Sequence, residues 1–294
     1  MPRKSMTRED WRQFMHDAAD NVANYDGNLV MVNVSGGAAS AWSWKLCIDM
    51  YGAERVHPVF ADTQSETPDT YRFLDDCQTV LGQELKILRG DGDIWDCFDK
   101  HRIMRFQPGN VCKASVELKQ KPLDSEFHAC GADAQAIGMT YDEPERMERL
   151  SKRLSKRLSK RNLLFPLVAS PKLSSCDIQE ALRKFGIKPP EIYQDGFVHN
   201  NCLGAGGCIL AGLAQWAAVY KKFPERFAYA EKRESEFIEQ TGFTVLRDQR
   251  DGETKSYTLA ELRKDVDDGR DFGGGWISPC HCFTPNLFPV EDLE

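Results

Sequence analysis

The chain has 294 residues, 41% hydrophobic and 28% charged, enough for one sizeable α/β core with a small appended module. Its net charge of −7 excludes an overall basic nucleic-acid binder, though not a local basic patch. No run approaches the roughly 18 apolar residues that span a bilayer, and Met1-Pro2-Arg3-Lys4-Ser5 lacks a signal peptide's apolar core. A cytoplasmic protein with no membrane contact is therefore expected. Its ten cysteines then read as core residues or as metal or cluster ligands rather than a disulfide framework.

Thr7 to Asn24 reads as an amphipathic helix, with Thr7 and Asp10 as its cap and Trp11, Phe14, Met15, Ala18 and Val22 on one face. Leu29 to Val34 is a strand rich in β-branched residues. It runs into Ser35-Gly36-Gly37-Ala38-Ala39-Ser40 and then an apolar helix to Met50. Strand, glycine turn and helix together aim backbone N–H groups and a helix N-terminus at an anion. Arg55 to Ala61 is a second strand ending at Asp62-Thr63. Pro68 opens a helix that turns Tyr71, Leu74 and Cys77 inward, Leu85 to Leu88 is a third strand, and Ala134 to Gly138 a fourth. Pro144 sits where a further helix would begin. Alternating strands and helices predict a parallel sheet covered on both faces, with ligands bound beyond the strand C-terminal ends.

Ser35-Gly36-Gly37-x-x-Ser40 resembles the pyrophosphate-binding loop of the PP-loop ATP pyrophosphatases. Phe60-Ala61-Asp62-Thr63-Gln64-Ser65-Glu66-Thr67-Pro68-Asp69-Thr70 resembles the Phe-Ala-Asp-Thr-Gly-x-Glu-x-Pro-x-Thr signature of the phosphoadenosine-phosphosulfate reductases and their PP-loop relatives, with Gln64 in place of the tight-turn glycine. Cys112, Leu118, Lys119 and Pro122 resemble a third segment of that family, lengthened by two residues. Gly138 to Leu150 resembles a fourth, with Thr140 where an arginine is usual. Phe165-Pro166-Leu167, followed by Ser174 and Asp177 at a helix start, also fits. The segments follow family order.

The resemblance implies a doubly wound parallel α/β fold and an adenine nucleotide, ATP or phosphoadenosine-phosphosulfate with Mg²⁺, as ligand. Ser35, Gly36, Gly37 and Ser40 would hold the phosphates. Asp62 would bind Mg²⁺ or orient the nucleotide, or else cap the turn that follows. The loop has no Walker-type lysine, so a cation must come from elsewhere. Arg146 and Arg149, three apart on one helical face, and Lys119 are the candidates. Surface pairing with Asp142, Glu145 or Glu148 is the alternative for the two arginines.

A second constellation is cysteine. Cys202-Leu-Gly-Ala-Gly-Gly-Cys208 and Cys280-His281-Cys282 supply four soft donors for zinc or an iron–sulfur cluster. Cys112 or Cys130 could join them, since the related adenylyl-sulfate reductases carry cluster cysteines near the first of these. Cys47, Cys77, Cys97 and Cys176 sit in helical patterns and are expected in the core. Three Leu-Ser-Lys-Arg units from Leu150 to Arg161 place six basic residues along a helix, either a solvated insertion or an arm for DNA or RNA. Gly242 to Asp271 is charged and expected to be peripheral, and Gly273 to Gly275 a hinge before Cys280.

The expected organisation is an N-terminal helix (1–24), a PP-loop nucleotide domain (25–195) with the basic helical insertion 150–161, and a Cys-rich metal or cluster module (196–294). A homodimer is compatible with it. The leading functional expectation is cleavage of the ATP α–β bond to adenylylate a substrate, in nucleic-acid or nucleobase modification or sulfur transfer. Phosphoadenosine-phosphosulfate reduction is the rival, although the C-terminal Glu-Cys-Gly-Ile/Leu-His motif of those reductases is missing. A nucleotide sensor with a structural metal module is the non-catalytic alternative.

Overall fold

The computed structural model describes residues 7–106, 111–141, 143, 146–148, 150–151, 161–197, 200–248 and 254–272. Among them, strands β1 (Val30–Val34), β2 (Val56–Asp62), β3 (Lys86–Arg89), β6 (Ala134–Ile137) and β7 (Asn162–Leu164) form one sheet in the order β3-β2-β1-β6-β7, while β4 (Arg105–Phe106) and β5 (Val111–Cys112) pair antiparallel apart from it. Every pairing in it is parallel. The chain moves outward from β1 to one edge and then returns to its other side, so the order reverses between β1 and β6. That crevice, at the strand C-terminal ends, is where such sheets receive ligands.

Alternation along the strands decides what covers each face. Val30, Val32 and Val34 of β1 pack with Val56 and Phe60 of β2 against helix α2 (Ala38–Tyr51), helix α3 (Pro68–Leu81) and the helix Ser175–Lys184. Met31, Val59 and Ala61 face the other way, onto Leu123 and Phe127 of helix α5 (Lys121–Ala129), the next α-helix in the chain after α4 (Ile94–His101). With both faces covered, β1 is buried at all five positions, which is why it reads as an unbroken apolar run apart from Asn33. Asn33 is satisfied inside, accepting a hydrogen bond from Gln135 at 3.0 Å.

The predicted helix starts are present. Thr7 and Asp10 form a reciprocal capping box on helix α1 (Arg8–Ala23), Thr67 caps α3 with Pro68 in its first turn, and Ser174 with Asp177 boxes the helix Ser175–Lys184. Met15 and Ala18 of α1 meet Ile137, Leu163 and Phe165 in a separate cluster.

Three expectations change. The segment 242–271 is not peripheral where it is described: β8 (Leu246–Asp248), β9 (Lys255–Tyr257) and the helix Leu259–Asp267 bury Val245, Leu246, Tyr257, Leu259 and Leu262 in a core shared with Trp95, Phe98, Trp216 and Phe237. A fully buried leucine contributes about 1.5–3 kcal/mol, so Leu259 and Leu262 alone make the segment part of the fold. Cys176 is exposed, because it falls in the first turn of its helix on the solvent side. Arg161 does not join a basic stripe. It is buried, pairs with Asp124 at 2.7 Å, and stacks over the Phe127 ring. A guanidinium that faces a carboxylate under the sheet gains more than one facing water. Pro144, 152–160 and 273–294 lie outside the described residues. Among the described residues, no helix is long and apolar enough to cross a membrane.

Candidate nucleotide and cysteine site

The loop after β1 is closed by its own side chains. Ser40 accepts hydrogen bonds from the Ser35 backbone N–H at 2.9 Å and the Ser35 hydroxyl at 3.0 Å, and donates to the Gly37 carbonyl at 2.8 Å. Both hydroxyl protons are thus used inside the loop, leaving phosphate contact to the backbone and the α2 N-terminus. Gly37 is the α2 N-cap and offers no side-chain cap. The Ala38 N–H instead donates to the Tyr193 hydroxyl at 3.1 Å. Burial pushes the Tyr193 phenol above its ordinary range, so it stays neutral.

Glycine is required at Gly36 for two reasons. Its φ is +77°, and a Cβ there would sit 2.5 Å from Thr70 Cγ2. A Cβ on Gly138, at the end of β6, would meet the Ser40 Cα at 2.6 Å, so the fourth family-like segment approaches the loop through its glycine.

Asp62 ends β2, only 1% exposed. Its Oδ1 accepts from the Gln64 backbone N–H and the Tyr71 hydroxyl, both at 2.8 Å, and its Oδ2 from Arg89 Nε at 2.8 Å. Both oxygens therefore have protein donors, the arrangement of a residue that holds its turn. Gln64 takes φ +53°, the left-handed conformation that the glycine of the signature adopts freely, and its amide donates to the Gly90 carbonyl at 2.7 Å. Burial and the Asp62 contact push the Tyr71 phenol up, keeping it a donor.

Lys119 lies on a π-helical segment, Ser115–Gln120, with its Nζ 3.5 Å from Glu66 Oε1. Glu66 is buried, and its Oε2 has no hydrogen-bond partner among the described residues. Arg146 pairs with Glu143, a partner that the sequence did not single out; Asp142 and Glu145 lie outside the described residues. Glu143 also accepts from the Thr140 hydroxyl at 3.2 Å, which joins the residue replacing the usual arginine to the same group. Arg149 lies outside the described residues.

The cysteine segment docks on the phosphate loop. Asn200 donates to the Gly36 carbonyl at 3.0 Å and to Thr70 Oγ1 at 3.2 Å. Four residues later the Gly204 N–H donates to the Ser65 carbonyl at 2.8 Å, where a Cβ would stand 2.2 Å from the Glu66 carbonyl oxygen. Between these anchors Cys202 adopts φ +59°. Gly206 and Gly207, both at positive φ, then let the chain pass against Ala230 and the Trp216 ring. The result is one pocket lined by Cys112, Cys202 and Cys208 together with Thr63, Ser115 and Lys119. Three soft donors in one buried pocket suit zinc or an iron–sulfur cluster. Cys280 and Cys282 lie outside the described residues. Cys130 belongs elsewhere, on the α5 face of the sheet.

Sequence reasoning missed Tyr193, Thr70 and Asn200 as partners of the loop. Thr70 carried a signal as the last residue of the Phe60–Thr70 signature, and Asn200 as a polar residue two positions before Cys202; Tyr193 carried none.

The sequence profile of the phosphoadenosine phosphosulfate reductase domain matches residues 29–205. A search of curated protein sequences finds no match. Similar solved structures include a phosphoadenylyl-sulfate reductase from Candida auris in a phosphate complex, at 13% identity and a TM-score of 0.43, covering 67% of this chain and 96% of that one. Another is the U34-tRNA thiolase NcsA from Methanococcus maripaludis with its [4Fe-4S] cluster, at 16% identity and a TM-score of 0.46, covering 78% and 80%. With its loop, its sheet order and a matched region of more than half its length, the chain belongs to the phosphoadenosine phosphosulfate reductase family of PP-loop proteins.

Proposed function

We propose that the protein binds ATP and cleaves its α–β bond to adenylylate a substrate, with a cysteine-held metal or cluster beside the reacting nucleotide. The observation that carries this reading is the docking of the cysteine segment on the phosphate loop through Asn200 and Gly204. A substrate nucleophile would attack the α-phosphorus, the bond to the bridging oxygen would break, and pyrophosphate would leave on the loop. Backbone N–H groups of the loop and the α2 N-terminus would stabilise the developing charge.

Arg146 and Arg149 are the proposed cations for the phosphates, and Lys119 brings positive charge to the pocket of sulfurs. Asp62 would keep the β2 exit in shape through Tyr71 and Arg89. The Oε2 of Glu66, without a hydrogen-bond partner among the described residues, would accept from a nucleotide hydroxyl. Cys112, Cys202 and Cys208 would hold the metal or cluster, with a fourth ligand from Cys280 or Cys282. Zinc there would fix the segment, whereas a cluster would supply a redox or sulfur-carrying centre.

Reduction of phosphoadenosine-phosphosulfate is the second reading, favoured by the matched family profile. Incubation with each nucleotide separates the two. Pyrophosphate release from ATP, stimulated by the true acceptor, is expected. Sulfite release from phosphoadenosine-phosphosulfate with reduced thioredoxin, and no pyrophosphate from ATP, would replace the first reading by the second. Tight binding without turnover of either would make the chain a sensor.

A further inference from the structure

At the end of the sheet away from the nucleotide loop, three metal-ligating side chains of different chemistry meet. His57 stands near the start of β2, five residues before Asp62, so a strand rise of about 3.3 Å per residue separates the two by roughly 16 Å. In the alternation of β2, His57 shares its face with Val59 and Ala61, the face covered by α5. Glu126 and Cys130 are four apart at the C-terminal end of α5, hence on one side of the helix. That side faces His57: its Nε2 is 2.8 Å from Glu126 Oε1. One ligand atom from each of the three residues lies within 4.8 Å of the others.

We infer that His57, Glu126 and Cys130 form a second metal site, for a divalent ion of the zinc class, separate from the pocket of Cys112, Cys202 and Cys208. The donor set is one imidazole nitrogen, one carboxylate oxygen and one sulfur. This mixture suits a borderline-soft ion and suits neither Mg²⁺ nor Ca²⁺, which take oxygen ligands. Zinc bonds of about 2.0–2.3 Å place tetrahedral ligand atoms about 3.3–3.8 Å apart. A shift of roughly one ångström, within the reach of side-chain torsions, would gather the three atoms around an ion.

All three residues are partly exposed, so an ion can enter without unfolding the sheet. The fourth position is left to water or to an external ligand. The Cys130 thiol makes a weak 3.6 Å contact to the Phe127 carbonyl, which an ion would replace. Binding would cross-link the start of β2 to the end of α5, and the thiol proton would leave to solvent.

The test uses the full chain, stripped with a chelator and titrated with Co²⁺ alone, with bound equivalents and the near-ultraviolet thiolate-to-cobalt absorption as readouts. Cys130→Ser and His57→Ala should each bind one equivalent fewer than wild type, and Cys130→Ser should lose part of the charge-transfer band. Cys208→Ser should remove a different part of the spectrum and leave this equivalent in place. Glu126→Gln, which preserves shape and a hydrogen bond to His57, should weaken this equivalent at least tenfold and serves where the alanine variant is poorly folded. Cobalt stoichiometry and spectra in Cys130→Ser and Glu126→Gln that superimpose on wild type would overturn the proposal. The cluster would then be a His57–Glu126 ion pair beside an unrelated thiol.

Discussion

The amide of Asn200 donates to the carbonyl oxygen of Gly36 across 164 residues of chain. Gly36 is the left-handed residue of the phosphate loop, so its carbonyl direction sets where the following N–H groups point. Asn200 is 2% exposed and also holds Thr70, the residue against which Gly36 packs. Replacing it orphans a buried carbonyl, a cost of about 1–3 kcal/mol. Asn200→Ala should lower the melting temperature and weaken nucleotide binding by roughly five- to tenfold, read by calorimetry. Unchanged affinity in a folded variant would detach the cysteine segment from nucleotide binding.

The two loop glycines should fail differently. At Gly37 a Cβ meets nothing nearer than the Tyr193 hydroxyl at 3.3 Å, and the backbone is extended. Gly37→Val should therefore fold and yet not bind nucleotide, because its branched side chain fills the space over the loop. Gly36→Val combines a positive φ with a 2.5 Å approach to Thr70 and should lose stability first. Denaturant melts beside equilibrium binding distinguish the two. Wild-type affinity in Gly37→Val would reduce the loop to a connection.

Arg146 is held by Glu143, with its Nε buried and lacking a partner among the described residues. A charge-assisted hydrogen bond is worth about 1.5–3 kcal/mol, so Arg146→Ala should weaken ATP binding tenfold or more while barely changing AMP binding. Arg149→Ala should act in the same direction if both guanidinium groups reach phosphate. Equal losses for ATP and AMP would point to a structural ion pair instead.

Metal content should follow the sulfurs that share the pocket. Cys112→Ser, Cys202→Ser and Cys208→Ser should each lower the zinc, or the iron and labile sulfide, recovered with anaerobically purified protein, and should lower its stability. Cys176→Ser should change neither, since that thiol is on the surface. Identical metal content in all four variants would remove the site.

Glu234 should make stability depend on pH. It is buried under the C-terminal layer and accepts the N–H groups of Val245 at 2.7 Å and Leu259 at 2.6 Å. Burial dominates over those contacts and pushes its carboxyl up to about 7, against an ordinary value near 4.3. The folded state thus holds a proton that the unfolded state releases, so stability is lost as pH rises from about 4.3 to about 7, by ~4 kcal/mol at most. Urea midpoints at pH 5 and pH 8 should differ for the wild type and converge for Glu234→Gln. A wild-type midpoint flat across that range would mean that Glu234 is ionised throughout.

Local chemistry made much of this protein legible in its sequence. A Val-rich run before Ser35-Gly36-Gly37, a threonine before Pro68, and Ser174 three residues before Asp177 each specify a strand, turn or cap from neighbours within a few positions, and the fold keeps them. At Gln64 the sequence left open whether the tight turn would differ without its glycine, and the structure keeps the turn, since the position takes positive φ with this side chain as well. Tertiary structure decided the rest. Arg161 continues a basic repeat in sequence, yet a carboxylate and an aromatic ring beneath the sheet draw it inward. Cys112 joins Cys202 and Cys208, while Cys130 goes to His57 and Glu126 on the far side of the chain's turn through α5. Spacing could not distribute those cysteines, since their partners are fixed by which strand face and which helix end pack together. The tie from Asn200 to Gly36 is of the same kind: a buried carbonyl needs a donor, and only packing brings that donor to it.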